Sequence, residues 1–253
     1  MTITQLYATL NAKYPPATAI DGDVDGLQLC FDAQMEVKKV LLTLDVTLAT
    51  AEYAVAGGFD TVISHHALIR TPLGEVTPHC PNSVRVIALC GGRVNSISLH
   101  TRLDTAADGV NACLGKALEL KDTTVFYVDS YGAGLVGYLP YEMTASQLAA
   151  YGEEKLGTRV AFTNADKPMS KIAICGGGGS FCLPVIASLG VDAFFTGELK
   201  HGEISTYAPF FPIFIAGHHE TERVVLPSLA KTISEIDSNI YTEIFDSGQV
   251  SWL

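Results

Sequence analysis

The sequence predicts an α/β protein made of two similar domains, each with a largely parallel or mixed sheet. Short apolar runs typical of β-strands alternate with helical patterns along most of the chain. The same order of segments occurs early and late in the chain. The 253 residues, 48% hydrophobic and 17% charged, suffice for one large or two small globular domains.

The first part of the chain predicts a series of strands and helices. "KKVLLTLD" (residues 38–45) predicts a strand, and "VTLATAEYAVAGG" predicts a helix that ends at glycine. "FDTVIS" predicts the next strand. "NSVRVIALCGG" and "RVNSISLH" then predict a further helix and strand.

The later part of the chain predicts a matching series. "SKIAICGGGG" (residues 170–179) predicts a strand and a turn, "SFCLPVIASLG" a helix, and "VDAFFTGELKH" a strand with a polar tail. "FPIFIAGHHETE" predicts the last strand of this series. The pair "GGFDTVISHH" and "LGVDAFFTGELKH" suggests an internal duplication, but the likeness of any two βαβ units explains the pair equally well.

A segment rich in turn residues separates the two series, at about residues 122–168. It contains one predicted helix, "MTASQLAAYGEEKLG". We therefore predict a first domain over residues 1–125 and a second over 126–253. An intertwined unit, in which residues 170–253 join the first domain, is the alternative.

Composition restricts the function classes. The net charge of −11 argues against a general nucleic-acid surface, and an anionic substrate would need a local cation. The six cysteines form no CxxC pair, which favours reduced thiols in a cytoplasmic protein. We expect no signal peptide and no membrane span.

Three polar clusters each follow a predicted strand, where open α/β sheets bind ligands. They contain His65 and His66, then His100 and Asp104 in "LHTRLD", then His218 and Glu222 in "GHHETE". Imidazole nitrogen and carboxylate oxygen together suit Zn, Mn, Fe, Co or Ni. The recurrence of the pattern predicts a metal site.

Each cluster also has a purely structural interpretation. Asp104 could be the N-cap of a helix in "TAADGVNACLGKAL". Glu222 could stabilise the first turn of its helix by charge–dipole attraction. Asp45 is predicted to cap the helix that follows it. The glycines of "ICGGGGSF" could bind a phosphate, but a tight turn is the favoured interpretation.

Three further residues are candidates for proton transfer. Glu198 and His201, in "TGELKHGE", could donate a proton to a leaving group. A solvated helix start would explain the same segment. His100 is a candidate acid, base or supporting residue beside Asp104.

The motifs "SHH", "HTRLD", "TGELKH" and "GHHETE" together resemble those of the GTP cyclohydrolase 1 type 2 homologues, the Ngg1-interacting-factor-like proteins. The resemblance implies a dinuclear metal centre at the junction of two similar α/β domains, in a homo-hexamer. It implies that His65 and Asp104 hold one cation, that His66 and His218 hold the other, and that Glu222 bridges both. Such sites keep coordination positions open for water or substrate.

The sequence also departs from the family pattern. The early Asp-Asn-Val-Gly-Leu-type segment is "DVDGLQL" here, which keeps Gly26 and Leu27 but not the asparagine. The role of this loop (residues 23–29) is therefore open. His219 does not match a family ligand.

The resulting functional prediction is a metal-dependent hydrolase with two divalent cations per subunit and a small anionic substrate, such as a nucleotide. GTP ring opening is implied by the family label alone. The alternative is a hexameric protein that binds or delivers metal, or binds a partner, and has no substrate of its own.

Overall fold

A computed structural model of the chain describes residues 1–163 and 167–248. In chain order the elements are α1 (Ile3–Lys13), β1 (Gly26–Leu29), β2 (Lys39–Thr43), α2 (Leu48–Ala56), β3 (Thr61–Ser64), α3 (Pro81–Gly92), β4 (Asn95–Ser98), α4 (Thr101–Asp104), α5 (Val110–Ala117), β5 (Lys121–Val128), β6 (Tyr131–Met143), α6 (Ala145–Leu156), β7 (Ala161–Phe162), β8 (Met169–Gly178), α7 (Leu183–Ile186), β9 (Ala193–Glu198), α8 (His201–Tyr207), β10 (Ile213–Ile215), α9 (His218–Glu222), α10 (Leu226–Ile236) and β11 (Tyr241–Ile244). In the described ranges, no helix has the length and apolar character needed to cross a membrane.

These elements form two compact units, each with its own sheet. The first unit comprises residues 1–103 and 226–248, and the second comprises residues 104–163 and 167–225. The units divide the chain at 103/104 and 225/226, whereas the sequence suggested a division at 125/126. The chain returns to the first unit after residue 225 because β11 pairs with β2, and the first division precedes 125/126 because β5 pairs with β6 in the second sheet.

The first unit is built on a five-stranded sheet in the order β1-β4-β3-β2-β11. Strands β11, β2, β3 and β4 run parallel, and β1 pairs antiparallel with β4 at the edge. The three inner strands are buried nearly throughout, as expected for parallel strands covered on both faces. Their apolar side chains include Leu41, Val62 and Ile97, all with no exposed surface.

The second unit is built on a six-stranded mixed sheet in the order β5-β6-β8-β9-β10-β7. Strands β8, β9 and β10 run parallel, and the others pair antiparallel. The aromatic side chains of Phe195 and Phe214 stack at 6.2 Å between ring centroids within its core. The mixed sheet confirms the predicted α/β class.

The two units repeat one topology, as an internal duplication would produce. In the first, an antiparallel edge strand is followed by three parallel strands in the spatial order β1-β4-β3-β2. In the second, the corresponding order is β7-β10-β9-β8, again with an antiparallel edge strand that comes first in the chain.

An aspartate in the Gly-x-Asp motif performs the same task in both copies. The carboxylate Oδ2 of Asp60 accepts hydrogen bonds from the amides of residues 38 and 39, each at 2.7 Å. Oδ2 of Asp192 accepts them from the amides of residues 170 and 171, each at 2.9 Å. The resemblance between the two sequence segments therefore reflects equivalent structure.

Several predicted elements differ in form. The segment after the glycines is a 3-10 turn followed by the four-residue α7, where one helix was predicted. The segment that begins at His218 divides into α9, a 3-10 turn and α10, and Pro227 lies in the first turn of α10. The turn-rich segment forms the long antiparallel hairpin of β5 and β6.

A buried arginine anchors the early loop of the first unit. The side chain of Arg102 has no exposed surface, and its Nε donates to Asp25 Oδ2 at 2.7 Å. Its Nη1 donates to Asn11 Oδ1 at 2.6 Å and to the carbonyl of Tyr14 at 3.0 Å. A guanidinium so buried needs a nearby negative charge, so Asp25 gives the "DVDGLQL" loop a structural role.

Replacing Asp25 with alanine should leave the Arg102 charge buried without its carboxylate. We expect the Asp25→Ala variant to lose about 3 kcal/mol of unfolding free energy, measured by urea denaturation. The exposed Asp21, two residues before this loop, provides the control, since Asp21→Ala should change stability by less than about 0.5 kcal/mol. Equal losses in the two variants would contradict this role of Asp25.

Candidate metal centre

Three histidines meet at one edge of the first sheet. Strands β3 and β4 are parallel neighbours, and Ser64 lies opposite Ser98 in their register. The residues that follow the two strands therefore emerge side by side. Each of His65, His66 and His100 offers a ring nitrogen, and these three atoms lie within 4.8 Å of one another.

Hydrogen bonds fix the orientation of the first two rings. His65 is 1% exposed, and its Nδ1 donates to the carbonyl of Leu99 at 3.0 Å. His66 Nδ1 lies 2.9 Å from Asp45 Oδ1. Because a carbonyl oxygen only accepts, Nδ1 of His65 carries a proton, and in the neutral ring Nε2 then presents a lone pair. Metal-binding histidines are commonly held through the second nitrogen in this way.

The predicted role of Asp45 as a helix cap is wrong. Thr47 is the N-cap of α2, and its side chain accepts from the amide of Thr50. Asp45 contacts the ring of His66 instead. Its position at the end of a predicted strand was the available signal, but the separation of 21 residues from His66 concealed the pairing.

His100 is held by a carboxylate from the "DVDGLQL" loop. Its Nδ1 lies 2.6 Å from Asp23 Oδ1, while the amide and hydroxyl of Thr101 donate to Asp23 Oδ2 at 3.1 and 2.6 Å. Burial opposes ionisation of Asp23, but the hydrogen bonds from His100 and Thr101 and the attraction to His100 outweigh it, so its pKa lies well below the usual range. Asp23 is thus a fixed negative charge behind His100.

A second polar cluster lies in the second unit. Glu198 ends β9, and His218 begins α9 directly after the parallel neighbour β10. His218 Nε2 lies 3.1 Å from Glu222 Oε1, and His218 Nδ1 lies 3.1 Å from Glu198 Oε1. Glu222 is 4% exposed. Glu198, a predicted proton donor, therefore contacts the ring of His218.

The conformation of Gly177 makes room for this pair. Its φ of +65° is a backbone state that favours glycine, and a Cβ there would lie 2.1 Å from Glu222 Oε1 and 3.1 Å from His218 Nε2. Any larger residue would occupy the position of the carboxylate. The glycine run thus allows β8 to approach the His218–Glu222 pair closely.

The amides of the glycine run are used within the protein. Gly176 donates to Asn111 Oδ1 at 3.0 Å, Gly177 donates to Thr221 Oγ1 at 2.9 Å, and Gly179 donates to the carbonyl of Glu198 at 3.2 Å. These amides therefore do not form a phosphate cradle. The supporting role of Asn111 carried no sequence signal, because it is part of no motif, and Thr221, inside "GHHETE", was not distinguished from its metal-ligating neighbours.

The capping interpretations of Asp104 and Glu222 are wrong. The N-cap of α5 is Gly109, and Asp104 instead ends α4, with the hydroxyl of Tyr131 donating to its Oδ2 at 3.2 Å. Glu222 is the last residue of α9, where the helix dipole disfavours a negative charge. Helix stabilisation therefore explains neither carboxylate.

His201 has different surroundings. It is the exposed first residue of α8, and its Nε2 lies 3.4 Å from Ser205 Oγ. His65 and Glu222, by contrast, are buried, and each ring of His65, His66, His100 and His218 lies against an oxygen atom that orients it. These His and Glu groups could bind a metal ion, and their nitrogen and oxygen atoms suit a borderline divalent cation.

Comparison with known proteins agrees with the motifs. A sequence model for Duf34/NIF3 (NGG1p interacting factor 3) matches residues 1–248. The chain belongs to the Duf34/NIF3 family. Among its relatives is the GTP cyclohydrolase 1 type 2 homolog of Pasteurella multocida, 28% identical over 93% of this chain and 94% of that protein.

Further relatives and solved structures match over similar lengths. The Schizosaccharomyces pombe protein NIF3 homolog is 26% identical over 96% of this chain and 95% of its own. The crystal structure of Staphylococcus aureus protein SA1388 superposes with a TM-score of 0.91, at 24% identity, over 100% of this chain and 99% of that one. The shared fold therefore extends over the whole chain.

Substituting Gly177 tests whether its missing side chain positions the His218–Glu222 pair. We expect Gly177→Ala to weaken binding of Zn²⁺ or Mn²⁺ by about 10–100-fold, because the added Cβ displaces the Glu222 carboxylate. Isothermal titration calorimetry on the metal-depleted protein measures the change.

Gly190→Ala is the matched control for backbone strain. Gly190 has a φ of +60°, but nothing lies within 4 Å of its hypothetical Cβ. Both variants should lose about 1–2 kcal/mol of stability from the left-handed backbone, while Gly190→Ala keeps normal metal affinity. Wild-type affinity in Gly177→Ala would refute the steric argument.

Proposed function

We propose that this protein binds two divalent cations and acts as a metal-dependent hydrolase. The proposed ligands are His65, His66, Asp104, His218 and Glu222. The carrying observation is that His65, His66 and His218 each have Nδ1 within hydrogen-bonding distance of a backbone or carboxylate oxygen, so that Nε2 is directed elsewhere. The allocation of ligands to two cations follows the family resemblance.

The bound cations would lower the pKa of water and stabilise negative charge on the attacked group. The chain supplies the orientation of the ligands. The carbonyl of Leu99 and the carboxylate of Asp45 set the rings of His65 and His66, and Glu198 sets the ring of His218. Glu222 supplies a buried carboxylate, and Gly177 leaves space for it.

His100 is the proposed proton carrier. Asp23 holds its Nδ1, so its Nε2 can accept a proton from a nucleophile or return one to a leaving group. Glu198 and His201 remain secondary candidates for proton transfer. The hydrogen bond of Glu198 to His218 supports an orienting role for that carboxylate, and the exposure of His201 gives it access to solvent.

The proposed substrate class is a small anionic molecule. The relatives named GTP cyclohydrolase 1 type 2 homolog make GTP the first compound to assay. Phosphoesters and cyclic amides are the next classes, since hydrolytic attack on phosphorus or a carbonyl carbon needs the same activated water.

Metal content tests the binding proposal directly. We expect two divalent ions per wild-type chain by elemental analysis, and an anomalous-scattering map should place both beside the proposed ligands. His218→Ala and Glu222→Gln should each remove at least one ion. His201→Ala is the control, because its exposed imidazole is not a proposed ligand. Elemental analysis that finds no divalent metal in the wild-type protein would refute the proposal.

Turnover separates hydrolysis from metal delivery. The metal-loaded protein should hydrolyse one of the assayed classes, and Glu222→Gln should lower kcat by at least about 100-fold, since it removes a charged ligand. Full metal occupancy with no turnover of any substrate would favour a delivery or partner-binding role and would contradict hydrolysis.

We also propose a cytoplasmic homo-hexamer, on the family resemblance. Multi-angle light scattering should give six times the 27.0 kDa mass of the chain. A monomer or dimer at micromolar concentration would exclude this assembly.

A further inference from the structure

The second unit contains a cleft that begins at the proposed metal ligand Asp104 and extends beyond the groups used in the proposed mechanism. Its volume is about 520 Å³, within the range of about 300–1,000 Å³ typical of small-molecule sites. The loop of residues 104–107, one face of α5 and the β5–β6 hairpin form its walls. Small residues such as Ala112 and Gly132 line much of it.

Among the charged side chains that line the cleft in the described ranges, the Lys116 ammonium group is the one available to an anion. Asp104, Lys116 and Glu119 line it. Glu119 Oε1 lies 2.5 Å from Lys155 Nζ, and this hydrogen bond holds the pKa of Glu119 below its usual value. In the part of the chain that the structure describes, Lys116 forms no ion pair, so its ammonium group can bind an added anion.

The Lys116 ammonium group and Asp104 lie at different positions along the axis of α5. Asn111, in the first turn of α5, donates from Nδ2 to the carbonyl of Asp104 at 3.1 Å. Lys116 lies five residues further along the same helix, which corresponds to a rise of about 7.5 Å. The cleft thus extends from a proposed metal ligand to a free ammonium group.

We propose that this cleft binds a phosphate monoester of about the size of a nucleoside monophosphate. Lys116 would bind the phosphate, and the rest of the molecule would extend along α5 toward Asp104. A doubly charged phosphate suits a free lysine better than a carboxylate does. The inference rests on the proposed function for the role of Asp104, but the contact with Lys116 is independent of metal.

The test uses adenosine 5′-monophosphate as the probe, titrated by calorimetry into metal-loaded and metal-depleted protein. We expect Lys116→Gln to weaken binding about tenfold in both forms, because one charge-assisted contact is lost. Lys167→Gln is the matched control. It removes an exposed charge of the same unit outside the cleft and should leave affinity unchanged.

Further measurements test whether the phosphate is the group that Lys116 binds and whether binding occurs in the cleft. Adenosine should bind the wild type about tenfold more weakly than its monophosphate and should bind Lys116→Gln equally weakly. The 5′-carboxylate analogue should bind more weakly than the phosphate. Ala112→Leu, which fills the cleft, should also weaken binding of the monophosphate. Elemental analysis should find wild-type metal content in every variant.

The outcomes separate this inference from the proposed function. Equal affinity of wild type and Lys116→Gln for the probe, or a preference for the carboxylate, would overturn the inference and leave the metal proposal intact. Lys116-dependent binding by a wild-type protein that takes up no Zn²⁺ or Mn²⁺ on titration would support the cleft and refute the proposed function.

Discussion

Parallel pairing of neighbouring strands is the constraint on which both polar clusters depend. In a parallel pair the two carboxyl ends lie at the same edge, so residues far apart in the chain emerge together. The pairing of β3 with β4 brings His65 and His66 beside His100. In the other unit, the pairing of β9 with β10 brings Glu198 beside His218.

Hydrogen-bond acceptors behind the histidines fix the orientation of their rings. An imidazole ring can rotate. In its neutral form the nitrogen that carries the proton donates a hydrogen bond, and the other can accept one or bind a metal. Backbone and carboxylate acceptors remove this freedom at four histidines, through Leu99, Asp45, Asp23 and Glu198. Three of these acceptors are acidic, so part of the net charge of −11 serves to align rings.

The sequence was sufficient for much of the fold and of the polar clusters. Strands β2, β3, β4, β8, β9 and β10 were predicted, since buried parallel strands form uninterrupted apolar runs. The hairpin of β5 and β6 was not, because its exposed residues and glycines resemble a loop. The return of β11 to the first sheet depends on contacts across about 200 residues, which local patterns do not encode.

The polar clusters show the same contrast between features that local sequence encodes and features that depend on distant contacts. Histidines after apolar runs were visible in the sequence, whereas Asp23 and Asp45 depend on packing between distant segments. Arg102 and Asp25 were missed because burial of a charge cannot be seen in a single motif.

The close approach of Gly177 to Glu222 also limits how the gene can vary. Every single-nucleotide change of a glycine codon that alters the amino acid introduces a residue with a Cβ or a stop. Each such residue would place an atom where the Glu222 carboxylate lies. This codon can therefore drift silently at its third base, but it has no one-step route to another amino acid that keeps the carboxylate in place.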